Sequence, residues 1–73
     1  MTRNYLSGSI KKALSVMECV GKSTKPLKAS EVSNFTKLER ATTFRILTYL
    51  TSLGYLFKDN STNLYSLGHK IFE

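Results

Sequence analysis

The stretch that decides the fold is TKLERATTFRILTYLTSLG, residues 36–54. Apolar residues recur in it at steps of three and four, the spacing that places side chains on one face of an α-helix. Thr36 and Glu39 fit the capping-box pattern of a helix start, and Gly54 is a stop signal. We therefore predict a helix over about residues 38–53. Its predicted inner face consists of Thr43, Ile46, Leu47, Leu50 and Leu53.

Two shorter helices are predicted ahead of this one. In the first, between Ser9 as N-cap and Gly21 as stop, apolar residues again recur at helical spacing. Pro26 then forbids helix continuation, and residues 27–29 are predicted to form a short extended piece. Ser30 is predicted to cap a second helix over residues 31–35. The apolar face of the first helix is formed by Ile10, Ala13, Leu14, Met17 and Val20.

Beyond Gly54 the period of the sequence changes from helical to alternating. Residues 55–58 and 63–67 are rich in aromatic and aliphatic side chains, which favours strands. The polar residues 59–62 have turn chemistry, because short polar side chains bond to their own backbone. Two strand-like runs around such a turn predict a β-hairpin. Residues 68–73 are predicted to open a further helix.

The order of these elements predicts the fold class, which is mainly α with a small β-hairpin (α+β). Helix, short strand, helix, tight turn, long helix and hairpin is the order of a winged helix-turn-helix, with three helices plus a two- or three-stranded wing. In such a fold the first helix and the hairpin cover the inner face of the long helix. Its outer face, about 10–12 Å across, then fits the major groove of B-form DNA.

The outer face of the helix at residues 38–53 carries the candidate DNA contacts. Arg40 and Arg45 are five positions apart, so one can meet a guanine edge while the other meets a phosphate. Phe44 has two open interpretations: packing against the second helix, or contact with a base or sugar. The other candidates on this face are residues with hydroxyl or methyl groups, namely Ala41, Thr42 and Thr48.

Further candidate donors lie where they can grip the DNA backbone. Ser30 and the free N–H groups at the start of the second helix form an anion site, since helix N-termini attract negative charge. Lys28 precedes that helix, and Lys37 lies in the turn before the long helix. Each lysine alone is equally well explained as a solvated surface residue, so the prediction depends on the set. At the tip of the hairpin, where a wing approaches a minor groove or flanking phosphates, the candidates are Lys58, Asn60 and Asn63.

The composition of the chain limits the classes of function that it can have. The 73 residues carry 11 Lys and Arg against 5 Asp and Glu, a formal net charge of +6, which favours a nucleic-acid partner. That length allows one domain with a small core. No apolar run approaches the ~20 residues of a membrane span and no secretion signal is evident, so we expect a cytoplasmic protein without membrane contact. Cys19 and His69 are each single, so no cofactor, metal site or catalytic residue is predicted, and an enzyme is not expected.

Four segments carry a family resemblance: residues 9–14, 38–47, 53–55 and 65–70. Within them the most specific marks are Arg45-Ile46-Leu47 in the predicted recognition helix and the Tyr-x-Leu-Gly ending of the wing. They resemble the N-terminal DNA-binding domain of IclR-type (isocitrate lyase regulator) transcription factors. With the element order, the resemblance implies three parts, which are a lead-in at residues 1–8, a winged helix-turn-helix domain at 9–67 and the start of an interdomain linker helix at 68–73.

The resemblance also implies partners for a full-length regulator. Such regulators carry a larger C-terminal domain that binds a small-molecule effector and mediates homo-oligomer formation, so an effector is expected only where that domain exists. The family's recognition helix often opens with Gly-Leu-Pro-Lys-Ser-Thr, whereas residues 37–42 here read Lys-Leu-Glu-Arg-Ala-Thr. The family pattern places the helix start nearer Leu38, whereas the capping box favours Thr36. Ala41 lacks a hydroxyl and Glu39 adds a negative charge, so the relatives' DNA sequence preference does not carry over.

We therefore predict sequence-specific binding to double-stranded DNA, as the DNA-binding module of a transcriptional regulator. The recognition helix is expected in the major groove, with the wing at residues 55–67 on flanking backbone or minor groove. The alternative is a winged helix that docks onto another protein and does not bind DNA. Retardation of a DNA duplex at low salt separates the two.

Overall fold

The computed structural model describes residues 8–72, which form three helices, a three-stranded antiparallel sheet and a short 3-10 helix. This arrangement confirms the predicted winged helix-turn-helix. The lead-in predicted at residues 1–8 lies outside the described residues except for its last position, and so does Glu73. The elements are α1 (Gly8–Lys22), β1 (Leu27–Lys28), α2 (Ala29–Thr36), α3 (Arg40–Ser52), β2 (Leu56–Asp59), β3 (Leu64–Leu67) and the 3-10 helix His69–Phe72.

The sheet has the strand order β1-β3-β2, so the hairpin β2–β3 gains a third strand from the segment before α2. Tyr65 on the central strand pairs with Leu27 of β1 and with Lys58 of β2. Leu27 and Tyr65 are both buried. Because β1 leads directly into α2, this pairing fixes the start of α2 beside the wing.

The core is small and draws on every layer of the fold. Its helical members are Val16 and Val20 of α1, Val32 of α2 and Leu47 of α3. Sheet residues Leu27, Leu56 and Tyr65 complete it. A core of this size suits a chain that hides only about 60% of its unfolded surface.

The apolar face predicted for α1 is partly wrong. Ile10 and Leu14 are each 49% exposed, whereas Val16, which the prediction left off the face, is fully buried. Burial in α1 begins at Ala13, and residues 8–12 ahead of it are exposed. The covered face therefore keeps Ala13, Met17 and Val20 from the prediction, loses Ile10 and Leu14, and gains Val16.

The second helix begins earlier than predicted. Lys28 is its N-cap, so Ser30, the predicted cap, lies inside α2. The backbone N–H of Lys28 donates to the Glu31 carboxylate at 2.8 Å, which is the reciprocal half of a capping box. Lys25 adds an ion pair to the same carboxylate at 3.8 Å. The start of α2 is therefore set where β1 ends, and the Glu31 carboxylate satisfies the backbone N–H of the N-cap residue Lys28.

The turn between α2 and α3 corrects the predicted start of the long helix. Thr36 is the last residue of α2, and its hydroxyl donates to the carbonyl of Val32 at 2.7 Å instead of capping α3. Lys37 follows in the left-handed conformation, with φ of 65°. The hydroxyl of Ser33 donates to the carbonyl of Leu38 at 2.6 Å and ties the turn to α2.

The third helix consequently starts at Arg40, with Glu39 as its N-cap. Thr43 and Leu47 are fully buried and Ile46 and Leu50 half-buried, as the predicted inner face requires. Leu53 is the exception, because the helix ends at Ser52 and the side chain of Leu53 is 56% exposed.

Two glycines join the end of α3 to the end of the sheet. Gly54 has φ of +90°. A Cβ on Gly68 would fall against the carbonyl oxygen of Gly54 and within 2.8 Å of that of Leu56. The backbone N–H of Lys70 donates to the same Gly54 carbonyl at 3.0 Å. Within the helix opening predicted at residues 68–73, His69–Phe72 form a 3-10 helix, which is held against the turn after α3.

Candidate nucleic-acid interface

The outward face of α3 presents both arginines. The side chains of Arg40, Ala41, Arg45 and Thr48 are exposed, and Thr42 is half-buried. Among residues 8–72, neither guanidinium takes part in an ion pair or hydrogen bond. The expectation that Arg40 and Arg45 project outward is therefore met, while their contact with DNA stays a prediction.

Phe44 lies between the outward face of α3 and the wing. Its side chain is 53% exposed. It lines one cleft with Ala29 and Ser30 at the start of α2, and another with Thr48 and Lys58. The ring faces α2, as the packing interpretation predicts, and it also keeps an open surface, so its contact with a base or sugar stays a prediction.

A single cleft gathers several predicted phosphate ligands from distant parts of the chain. Lys28 and Ser30 enter it from the start of α2, and Lys58 and Asn63 from the wing. The Lys58 ammonium lies 5.8 Å from the centroid of the Tyr65 ring, within the range of a cation–π interaction. The structure thus brings four of the predicted ligands together around one opening beside Phe44.

Two predicted residues lie apart from this cleft. Lys37 is exposed in the turn between α2 and α3, and Asn60 is exposed at the tip of the wing. Neither residue lines the cleft.

The wing tip is organised by Asp59. The hydroxyl of Ser61 donates to its carboxylate at 2.7 Å and the Ser61 backbone N–H at 2.9 Å, and these bonds lower the pKa of Asp59. The backbone N–H of Asn63 donates to the Asp59 carbonyl at 2.6 Å, with Asn63 at φ of 62°. The tip therefore holds a carboxylate among the predicted DNA contacts, which sequence reasoning did not weigh.

Sequence reasoning also missed the groove between α1 and α3. Its lining includes Ser9 and Lys12 from α1 together with Thr42, Arg45 and Tyr49 from α3. Tyr49 is 66% exposed and follows Arg45 by one helical turn, so its outward position was readable from the spacing. The place of Lys12 beside α3 depends on the packing of α1, which no local pattern indicates.

Basic side chains outnumber carboxylates over the combined surface of the outward face of α3, the cleft beside Phe44, the wing tip and the groove between α1 and α3. The carboxylates on it are Glu39, exposed at the start of α3, and Asp59 at the wing tip. The Glu31 carboxylate already accepts a hydrogen bond from Lys28 and pairs with Lys25. The basic residues of this surface are Lys12, Lys28, Lys37, Arg40, Arg45 and Lys58. Charge of this sign attracts a polyanion.

Two other kinds of site are absent from the part of the chain that the structure describes. No group of three or more His, Cys, Asp or Glu side chains is placed to hold a metal ion in residues 8–72. Nor does any helix there have the length and apolar character of a membrane span.

Residues 9–60 match the family model of the IclR helix-turn-helix domain. The chain belongs to this family. It is accordingly a DNA-binding domain of the transcription-regulator type, and its winged helix is the fold of that family. A comparison with curated protein sequences gave no significant match.

The same fold occurs in several solved structures. An IclR family transcriptional regulator from Brucella abortus is 27% identical, with a TM-score of 0.86 over 96% of this chain and 26% of that chain. HmgR from Pseudomonas aeruginosa is 21% identical, with a TM-score of 0.83 over 90% of this chain and 27% of its own. A transcriptional regulator from Alicyclobacillus acidocaldarius is 20% identical, with a TM-score of 0.82 over 92% and 27%. The chain thus spans about a quarter of the length of these proteins.

Proposed function

We propose that the chain binds double-stranded DNA in a sequence-specific manner, as the DNA-binding module of a transcriptional regulator. The recognition helix α3 lies in the major groove, and the wing approaches flanking backbone or the minor groove. The observation that carries this proposal is the exposure of Arg40 and Arg45 on a basic surface, with no carboxylate partner among the described residues. We assign the domain no catalytic role, and its compartment is the cytoplasm.

The contacts divide by chemistry. Arg40 and Arg45 supply paired donors to a guanine edge or a phosphate. Between the two arginines, the hydroxyl and methyl groups of Ala41, Thr42 and Thr48 face the major groove of the DNA. Contacts with the phosphates and sugars of the DNA backbone make up half to two-thirds of protein–DNA hydrogen bonds. Here they come from the periphery of the surface. The residues proposed for them are Lys28, Ser30, Lys37, Lys58, Asn60 and Asn63.

The arrangement of a full-length regulator is part of the same proposal. Residues 9–67 are the DNA-binding module, and residues 68–73 lead into an interdomain linker helix. A further domain would bind a small-molecule effector and form the homo-oligomer. The lengths of the solved IclR regulators support this proposal, since this chain covers 26% of one and 27% of another.

Selection from a pool of random duplexes tests the proposal directly. The chain is incubated with the pool at low salt, bound duplexes are recovered and sequenced, and a recovered duplex is then titrated in a retardation assay. We expect a defined sequence to be enriched and its binding to weaken as salt rises, with a log–log slope near −0.9 for each phosphate neutralised.

A matched variant controls for nonspecific attraction. Lys22→Ala removes an exposed charge that lines a cleft with Phe35 and Glu18, away from α3, and should leave the selected sequence unchanged. Failure to retard any duplex at low salt would overturn the proposal and favour the protein-docking alternative.

A further inference from the structure

The outward face of α3 is apolar along its middle, between the two arginines. Ala41, Phe44 and Thr48 follow one another at steps of three and four residues, which brings neighbouring Cβ atoms to about 5–6 Å. All three side chains are exposed, and they line a shared cleft with Arg45 and Tyr49. The face that carries the positive charge therefore also carries a continuous strip of methyl and aromatic surface.

The protein core does not account for the position of Phe44. Thr43 and Leu47 are the fully buried residues of α3, while the Phe44 ring keeps 53% of its surface open. Ala29 and Tyr65 line the clefts on its wing side, so the ring is bounded by α2 and the sheet on that side. An exposed phenylalanine between arginines is costly in water, and covering it on binding is favourable.

We infer that Ala41, Phe44 and Thr48 form a reader of thymine methyl groups. This inference rests on the proposed function and names the base chemistry that α3 recognises. The 5-methyl of thymine is the apolar group that base pairs present in the major groove, and alanine, threonine methyl and phenylalanine surfaces are its usual partners.

Charge decides between DNA and a protein as the occupant of this strip. Arg40 and Arg45 border it and have no carboxylate partner among residues 8–72. A polyanion supplies phosphates to these arginines and thymine methyl groups to the strip between them. The selected duplex should accordingly contain thymine next to a guanine contacted by an arginine.

Replacing single thymines with deoxyuridine tests the inference, because this change removes the methyl and keeps the base pair. The probe is the duplex recovered from the random pool, with each thymine replaced in turn. Wild-type chain should lose about fourfold in affinity for each methyl that the strip buries. Phe44→Ala should bind thymine and deoxyuridine duplexes equally at the positions where wild type discriminates.

Two matched variants separate methyl reading from general binding. Phe35→Ala removes another exposed aromatic ring, 68% exposed on α2 and lining a cleft with Cys19, and should keep the full thymine preference. Lys58→Ala should weaken binding to thymine and deoxyuridine duplexes by the same factor. Thr48→Ser deletes one methyl group from the strip. This variant tests methyl reading if Phe44→Ala does not fold.

The outcomes distinguish the inference from the function on which it rests. Equal wild-type affinity for every thymine and deoxyuridine duplex overturns methyl reading and leaves DNA binding intact. A preference that survives both Phe44→Ala and Thr48→Ser overturns the assignment to this strip. If no duplex is enriched at all, the proposed function fails and methyl reading fails with it.

Discussion

At the residue scale, Arg45 gives the sharpest test of the DNA surface. It lies on the exposed face of α3, between the strip around Phe44 and the groove that Lys12 lines from α1. Arg45→Ala should lower affinity for the selected duplex by about 5- to 150-fold, since a paired donor contact is worth about 1–3 kcal/mol. Binding is measured by titration of the labelled duplex.

Thermal unfolding of the same variant supplies the control. The Arg45 side chain is exposed and has no ion-pair partner among the described residues, so its removal should leave the melting temperature unchanged. A variant that melts early would show that Arg45 supports the fold, and its lost affinity would then say nothing about contact with DNA.

At the scale of elements, the turn between α2 and α3 stores strain at Lys37. A residue other than glycine in the left-handed region costs about 1–2 kcal/mol, and Lys37 has φ of 65°. Members of the family often carry glycine at this position. Lys37→Gly should therefore raise the free energy of unfolding by about 0.5–1 kcal/mol, after allowing for the greater freedom of glycine in the unfolded chain. Urea denaturation measures this change.

Lys37→Ala separates the strain from the charge. Both variants lose the ammonium group, so both should bind DNA more weakly and lower the salt slope by about 1. The gain in stability belongs to Lys37→Gly alone. Equal stability of the two variants would show that the turn is not strained, and unchanged affinity would remove Lys37 from the DNA surface.

The same turn shows why the order of elements was predictable and their boundaries were not. Helical periodicity identifies α3 because it depends on many residues at once. Its start depends on a few bonds: Thr36 and Glu39 match a capping box, yet Thr36 bonds back into α2 and Lys37 turns the chain. The bond from Ser33 to the carbonyl of Leu38 belongs to the folded turn and leaves no local signal.

The junction of α3 with the end of the sheet explains the glycines among the family marks. Gly68 packs against the carbonyls of Gly54 and Leu56 and leaves no room for a methyl group. Gly68→Ala should lower the free energy of unfolding by about 1–3 kcal/mol, because the backbone must shift. Chemical denaturation measures the loss.

Gly21→Ala is the matched control, with the opposite expected sign. A Cβ there meets the Leu67 side chain at 3.9 Å, an ordinary contact, and Gly21 lies within α1. Alanine should stabilise the helix by about 0.5–1 kcal/mol. A loss of stability in both variants would contradict this account of the junction.

At the scale of the whole molecule, the candidate surface is assembled by long-range pairing. The arginine face could be predicted because Arg40 and Arg45 belong to one helix. The cleft that holds Lys28 and Lys58 could not, since it depends on both flanking strands pairing with β3. Lys12 likewise reaches this side through the packing of α1 against α3. Because these basic residues converge on one surface, they repel one another within the domain, and the negative charge that attracts them belongs to a partner outside it.

That imbalance predicts opposite responses of stability and binding to salt. The net charge is +6, and the ion pair of Lys25 with Glu31, at 3.8 Å, is exposed to solvent, so added salt screens more repulsion than attraction. Raising sodium chloride from about 0.02 to about 0.3 M shortens the Debye length severalfold. The free energy of unfolding, from urea titrations, should rise by about 1 kcal/mol or less, while affinity for the selected duplex falls steeply. Stability that falls with salt would mean that attraction within the domain outweighs repulsion, and flat affinity would mean that phosphates are not the groups this surface binds.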